Sequence, residues 1–279
     1  MPDARKHLDV LANEWSGCTR CDLGVRRAEV NGAFVFGEGS RGGLMLIGEG
    51  PGAHEEQEGR PFIGKSGMLI RHILDIAGVA DHYITNTVAC RSCAPAFDSI
   101  GRPLVFKDRR TGQDVSRIND EPPKPAQVEA CKPRLLEQIY IVDPILIVTL
   151  GGGAAAALTG KSVTITRDRG TFQEVEIPGA WQLPILTDKK KQWVRKVGGQ
   201  IVAPVRQSTV RYLTFLTIHP AYALRYVRDK RHGNVFTAFV LDMQTAINTY
   251  NRYIRQLIGM ESTDVLLNPE EIEEYAADL

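Results

Sequence analysis

Long hydrophobic runs are missing from this chain. The apolar stretches it does have, such as residues 145–150, fall far short of the roughly 20 residues that a membrane-spanning helix needs. The opening MPDARKHLDV lacks the apolar segment of a secretory signal, so the expected setting is the cytoplasm, with no membrane partner. No internal repeat or low-complexity tract is present, which argues against a solenoid or a disordered array. Net charge is also close to absent, at +1, but it is unevenly spread. Residues 261–279 carry seven acids and no Lys or Arg, which leaves 26 acids against 34 bases in residues 1–260. The body is therefore mildly basic and the tail acidic, a balance that suits a polyanionic partner without requiring one. With 43% hydrophobic residues in 279, the chain can bury a core as one large domain or two small ones.

Cysteines are few but not scattered. Cys18 and Cys21 form CTRC, Cys90 and Cys93 form CRSC, and Cys131 stands alone in EACKP. In a cytosolic protein this spacing points to a metal before a disulfide, because two intervening residues let both thiolates turn toward one centre. Four soft thiolates suit zinc or an iron–sulfur cluster alike. Burial as a small hydrophobe would account for Cys131 alone but poorly for two pairs. Five candidates for four places leave one spare.

Four apolar stretches, LMLIG from Leu44, YITNTVAC from Tyr83, ILIVTLG from Ile145 and YLTFLTIHP from Tyr212, read as central parallel strands. Between them lie helical patterns at 66–77, at 126–142 and in GGAAAALTG, and a long closing helix is expected over 234–258. This rhythm predicts an α/β fold: a doubly wound central parallel sheet flanked by helices, in a single domain over 1–260 followed by the acidic C-terminal tail 261–279. Two stretches break the rhythm, 94–124 and 186–211, and both read as loop insertions. The second carries Lys189, Lys190, Lys191, Trp193, Arg195 and Lys196, which suit either a solvated face or a nucleic-acid backbone with an unstacked base.

In an open α/β sheet a ligand binds outside the carboxyl ends of the strands. There the sequence sets GEGPG after the first strand, TN at the end of the second and HPA after the last. Each contributes one polar side chain: Glu49, Asn86 and His219. Any one of them could cap a turn or bond backbone; the three together point to a site.

These motifs, with CTRCDL, GEGPGAHEEQEGRPFIGKSGMLI, ITNTVACR, CKPRLLEQI, ILIVTLGGGAAAAL and HPAYALR, resemble the iron–sulfur uracil-DNA glycosylases known as family 4, over nearly the whole chain. The resemblance implies a [4Fe–4S] cluster on four cysteines, DNA as partner, and excision of a base flipped out of the helix; the chain is expected to act as a monomer. By the same resemblance Phe62 would stack on the base, Asn86 would read its Watson–Crick edge, and His219 would donate to the base O2. Glu49 would position the attacking water. Gly50 would adjoin the base, at the position where other branches of the superfamily carry an Asp. Leu224 and Arg225 would wedge into the duplex. Apart from the resemblance, Lys189, Lys190 and Lys191 would meet phosphates if their segment binds nucleic acid and is not a solvated face.

The family pattern assigns the cluster to Cys18, Cys21, Cys90 and Cys131, the last placed at the opening of its helix. The segment 94–124 departs from the short loop of the family and makes Cys93 the alternative fourth ligand. The expected activity is that of a monofunctional glycosylase leaving an abasic site, with uracil as the base. One alternative is a bulkier substituted cytosine, admitted by a rim that the insertions 94–124 and 186–211 would enlarge, as in defence against modified foreign DNA. Another is a non-catalytic iron–sulfur nucleic-acid-binding module. The H-x-E and P-C-x-x-C signature of zinc-dependent base deaminases is absent.

Overall fold

The computed structural model describes residues 4–107, 112–178, 195–197, 200–202, 209–229, 234–257, 259 and 264–279. Its elements run α1 (Ala4–Ser16), α2 (Asp22–Glu29), β1 (Glu38–Gly39), β2 (Leu44–Gly48), α3 (Ala53–Glu58), α4 (Lys65–Ile76) and β3 (His82–Asn86). Next come β4 (Cys93–Pro95), β5 (Val105–Lys107), β6 (Asp114–Ser116), β7 (Ile118–Asp120), α5 (Pro125–Val142), β8 (Leu146–Leu150), α6 (Gly152–Thr159) and α7 (Ile165–Asp168). The chain closes with β9 (Thr171–Pro178), β10 (Arg195–Val197), β11 (Gln200–Val202), β12 (Thr209–Thr217), α8 (Pro220–Leu224), α9 (Val235–Leu257) and α10 (Pro269–Asp278).

Six strands form one sheet in the order β1-β3-β2-β8-β12-β9. The four inner strands are mutually parallel, as expected, and both edge strands are antiparallel. Parallel strands covered by helices on both faces read as continuous apolar runs, and β2 and β8 are buried along their whole length. The period of two along β2 divides the core: Leu44 and Leu46 face one cluster with α4, α9 and α10, while Met45 and Ile47 face the other with α1 and α5. The chain leaves β2 outward to β3, then crosses back to β8 and on to β12. The winding therefore reverses between β2 and β8, where the carboxyl ends splay open.

Three features depart from the sequence reading. The edge strand β9 was not anticipated. β12 begins at Thr209, inside the segment 186–211 read as an insertion. The segment 94–124 is not loop alone but builds two short ladders, β4 with β7 and β5 with β6. The acidic end packs against the body along 264–279, because Leu267, Ile272 and Ala276 join the main core beneath its charged outer face.

Candidate functional site

Past the carboxyl ends of β2 and β12 opens a cleft of about 510 Å³, on whose walls lie Glu49, Gly50, Phe62, His219 and Arg225; Asn86, at the end of β3, does not line it but is buried beside Phe62. β2 and β3 continue their pairing past the strand ends: Thr87 donates its backbone N–H to the Gly48 carbonyl at 2.9 Å and its hydroxyl to that of Glu49 at 2.5 Å. Gly48 must lack a side chain. A Cβ there would overlap Asn86 Oδ1 and lie 2.5 Å from the Phe62 ring, so the two side chains close together over bare backbone.

Asn86 is 1% exposed. Its main chain is held from behind by Arg134 of α5, a fully buried guanidinium that donates to the carbonyls of Asn86 and Thr87 at 2.7 and 2.9 Å. The side-chain amide is different: Nδ2 is buried without a partner among the described residues. A donor left so costs about 1–3 kcal/mol, which makes it a group awaiting an acceptor.

Phe62 adopts φ +54°, unusual for a bulky residue. The turn that imposes this conformation is heavily tied. The Phe62 carbonyl packs where a Gly67 side chain would stand and accepts from Arg71 Nε at 3.3 Å; Arg71 also donates to the Pro61 carbonyl and to Glu38. Glu55 holds the same turn through the N–H groups of Phe62, Ile63 and Gly52, the last at 3.1 Å. Burial nevertheless keeps the Glu55 carboxyl above the usual range, with the Gly52, Phe62 and Ile63 hydrogen bonds acting against it.

His219 caps α8, its Nδ1 accepting from the Ala221 N–H at 3.1 Å. A ring that accepts at Nδ1 carries its proton on Nε2 when neutral. Neutral it is: burial, and then the charge of Arg225, push it down to about 4. The ring stands 6.4 Å from that of Phe62. Two residues upstream, Thr217 donates at 2.7 Å to buried Asp242, which pairs with Arg169, so the end of β12 is anchored to α9. Across the cleft the Glu49 carboxyl is raised above the ordinary carboxylate range by burial.

Not every expected residue meets here. Leu224 packs on the main core and lines a neighbouring pocket with Lys65 and Val227, although Arg225 beside it reaches the cleft. Lys189, Lys190 and Lys191 lie outside the described residues. Sequence reading missed Glu55, because the neighbouring acids of α3 are alike in sequence while Glu56 turns the other way, to Arg26 at 2.6 Å. It also missed that Asp120, Pro122 and Pro123, at the end of the 94–124 segment, form part of the cleft wall. The ladder of β4 with β7 brings them there, and Arg91 fastens Asp120 at 2.5 Å.

A second cavity, sharing no lining residue with the cleft, is bordered by Cys18, Cys21, Cys90 and Cys131 amid Leu23, Phe34 and Val88. Burial pushes the Cys90 thiol up to about 12; Arg27 opposes this, while Cys131, Cys21 and Cys18 add to it. Cys131 sits in the second turn of α5 and not at its opening, which is Pro125. Cys93, on β4, is hydrogen-bonded beside Arg26. Among the described residues no three His, Cys, Asp or Glu side chains converge on a single ion.

Comparison with known proteins agrees with this architecture. The family profile of the Uracil DNA glycosylase superfamily matches residues 36–244, and the chain belongs to that superfamily. Within it the chain falls in the type-4 branch. It is 31% identical over 222 residues to the Type-4 uracil-DNA glycosylase of Thermotoga maritima, covering 78% of this chain and 83% of that one. The Type-4 uracil-DNA glycosylase of Saccharolobus solfataricus is 32% identical over 181 residues (62% and 70%), and that of Pyrobaculum aerophilum 35% over 159 (56% and 64%).

Proposed function

We propose that this protein is a monofunctional DNA glycosylase that takes a uracil flipped out of DNA and hydrolyses its N-glycosidic bond, leaving an abasic site. The observation that carries the reading is a neutral His219 on the cleft wall, its Nδ1 accepting and its proton on Nε2, together with an Asn86 amide buried beside Phe62 of the same wall, its Nδ2 without a partner among the described residues. Uracil presents two carbonyl acceptors and one N3–H donor. Asn86 Nδ2 donates to O4 while Oδ1 accepts from N3–H, and His219 Nε2 donates to O2. Phe62 covers the face of the ring.

As the bond from C1′ to N1 breaks, the electron pair leaves with the base and negative charge spreads onto O2. A donor aimed there stabilises charge that develops only in the transition state. Water then adds its oxygen to C1′, and its proton passes toward Glu49, whose burial makes it a stronger base than an exposed carboxylate. The histidine needs no positive charge for this role.

Cys18, Cys21, Cys90 and Cys131 suit a [4Fe–4S] cluster. The four thiols border one small cavity amid Leu23, Phe34 and Val88, and four Cys thiolates are the ligand set such a cluster takes. Bound there, the cluster supplies covalent cross-links among the α1–α2 turn, the exit of β3 and α5, apart from the reacting atoms.

A second reading, a bulkier substituted cytosine as substrate, is favoured by one observation, the wall that Asp120, Pro122 and Pro123 add to the cleft. The test is a single-turnover product assay on matched DNAs carrying uracil, cytosine or a 5-substituted cytosine. Free uracil and an alkali-labile abasic site are the expected products. Release of the substituted cytosine alone transfers the activity to the second reading. Release of no base from any of the DNAs leaves a binding module.

A further inference from the structure

The turn from β8 into α6 reads Gly151, Gly152, Gly153, and the three glycines do different things. Gly151 has φ +101° and passes beside the His219 side chain, so any residue with a Cβ is strained there irrespective of space. Gly152, the first residue of α6, has room: a methyl would meet Ile165 Cβ at 3.5 Å and the Val163 carbonyl at 3.7 Å, ordinary contacts. Gly153 has none. A methyl there would overlap Oε1 of Glu49, with its carbon 2.6 Å from Cδ and 3.2 Å from Cγ. The carboxylate therefore rests directly on the bare backbone of Gly153, at the point where the winding of the sheet reverses between β2 and β8.

We propose that Gly153 is a positioning residue for the reaction. The missing side chain sets where the Glu49 carboxylate lies, and hence where the attacking water is held. The inference rests on the reading of Glu49 as the residue that orients that water. The obstacle is one-sided, since the group in the way is the end of a flexible side chain and not backbone. Gly153→Ala does not break the fold; it pushes the carboxylate aside. Alanine favours a helix over glycine at both positions, so neither Gly152→Ala nor Gly153→Ala should lower the melting temperature.

The experiment is a set of single-turnover base-release rates on uracil-containing DNA at saturating enzyme, with DNA affinity and melting temperature measured beside them. The proteins are the parent, Gly152→Ala, Gly153→Ala, Glu49→Ala and the double variant Glu49→Ala/Gly153→Ala. Displacement of a catalytic group by about an ångström costs roughly a hundredfold in rate, so Gly153→Ala should be slowed about ten- to a hundredfold with DNA affinity unchanged. Gly152→Ala should keep the parent rate. In the Glu49→Ala background nothing remains to be displaced, so adding Gly153→Ala should change the rate by no more than about twofold.

A Gly153→Ala protein at full speed overturns the proposal. So does one that slows the Glu49→Ala enzyme as much as the parent, because the substitution then acts through some other group. A Glu49→Ala enzyme with the parent rate refutes the assignment of Glu49 itself, and that arm alone reports it.

Discussion

His219 shows how a fold tunes one side chain for one task. A histidine in water has a pKa near 6.5 and would be half charged close to neutrality; here burial and Arg225 hold it at about 4. The consequence for stability has a definite sign. The folded ring resists the proton, so the unfolded chain takes it up first as pH falls. The contribution is fully present above about pH 6.5 and is lost as pH drops toward 4. Denaturant titrations of the parent and of His219→Ala should diverge in that window, with the flatter pH dependence in the variant. If His219 donates to the departing base as proposed, His219→Ala should also slow base release about 10²- to 10³-fold in single-turnover rate, with DNA affinity nearly unchanged. Asn86 and Phe62 should separate from it. Asn86→Ala removes a buried donor that has no partner among the described residues, so uracil excision should fall far more than either stability or DNA binding. Stacking on an aromatic ring is worth about 1–3 kcal/mol, so Phe62→Ala should lower excision roughly ten- to a hundredfold. A Phe62→Ala enzyme at parental efficiency would mean that the ring does not meet the base.

At the scale of elements, the legible parts were those in which one property dominates. β2 and β8 are buried on both faces and could be read as apolar runs, and α9 carries Phe236, Phe239, Val240, Met243 and Ile247 along one side. β9 was hidden because an edge strand needs burial on alternate residues only, which Val175 and Ile177 supply between charged neighbours. α10 was hidden behind its acids, its core contacts being few in number. The three strand-end residues Glu49, Asn86 and His219 were visible because polar groups at strand ends are conspicuous. The surroundings that tune them were not: Arg134, Glu55 and Gly153 act through tertiary neighbours that no local pattern reveals. The cysteines fall between these cases: spacing shows the pairs, the family resemblance points to Cys131 over Cys93, and the fold sets Cys93 beside Arg26 and apart from the four that share a cavity. Iron and sulfide analysis should therefore find about four irons per chain in the parent and in Cys93→Ala, and loss of iron with bleaching of the visible absorption in Cys131→Ala. The reverse pattern would make Cys93 the fourth ligand.

For the whole molecule the organising feature is charge. The acids of the last 19 residues hide a basic body, and part of that acidic segment is folded down as α10, its apolar side on the core. A polyanion meeting such a body gains most from counterions released as cations replace them along the phosphates. The gain is read as the slope of log affinity against log salt, about 0.9 per phosphate neutralised on duplex DNA and about 0.7 on single strands. Lys189, Lys190 and Lys191 are the densest run of cations in the sequence. If they contact phosphates, changing all three to Gln should weaken binding to any sequence alike and flatten the slope, by up to about 2.7 on duplex and about 2.1 on single-stranded DNA. The rate of the bound complex should not change, because these groups act on the backbone and not on the departing base. Arg225, within the cleft, should behave otherwise, with Arg225→Ala penalising paired DNA more than single strands, whose bases need little help to leave the stack. An unaltered salt slope in the triple Gln variant would return the lysine run to the status of a solvated face and leave phosphate binding to cations nearer the cleft.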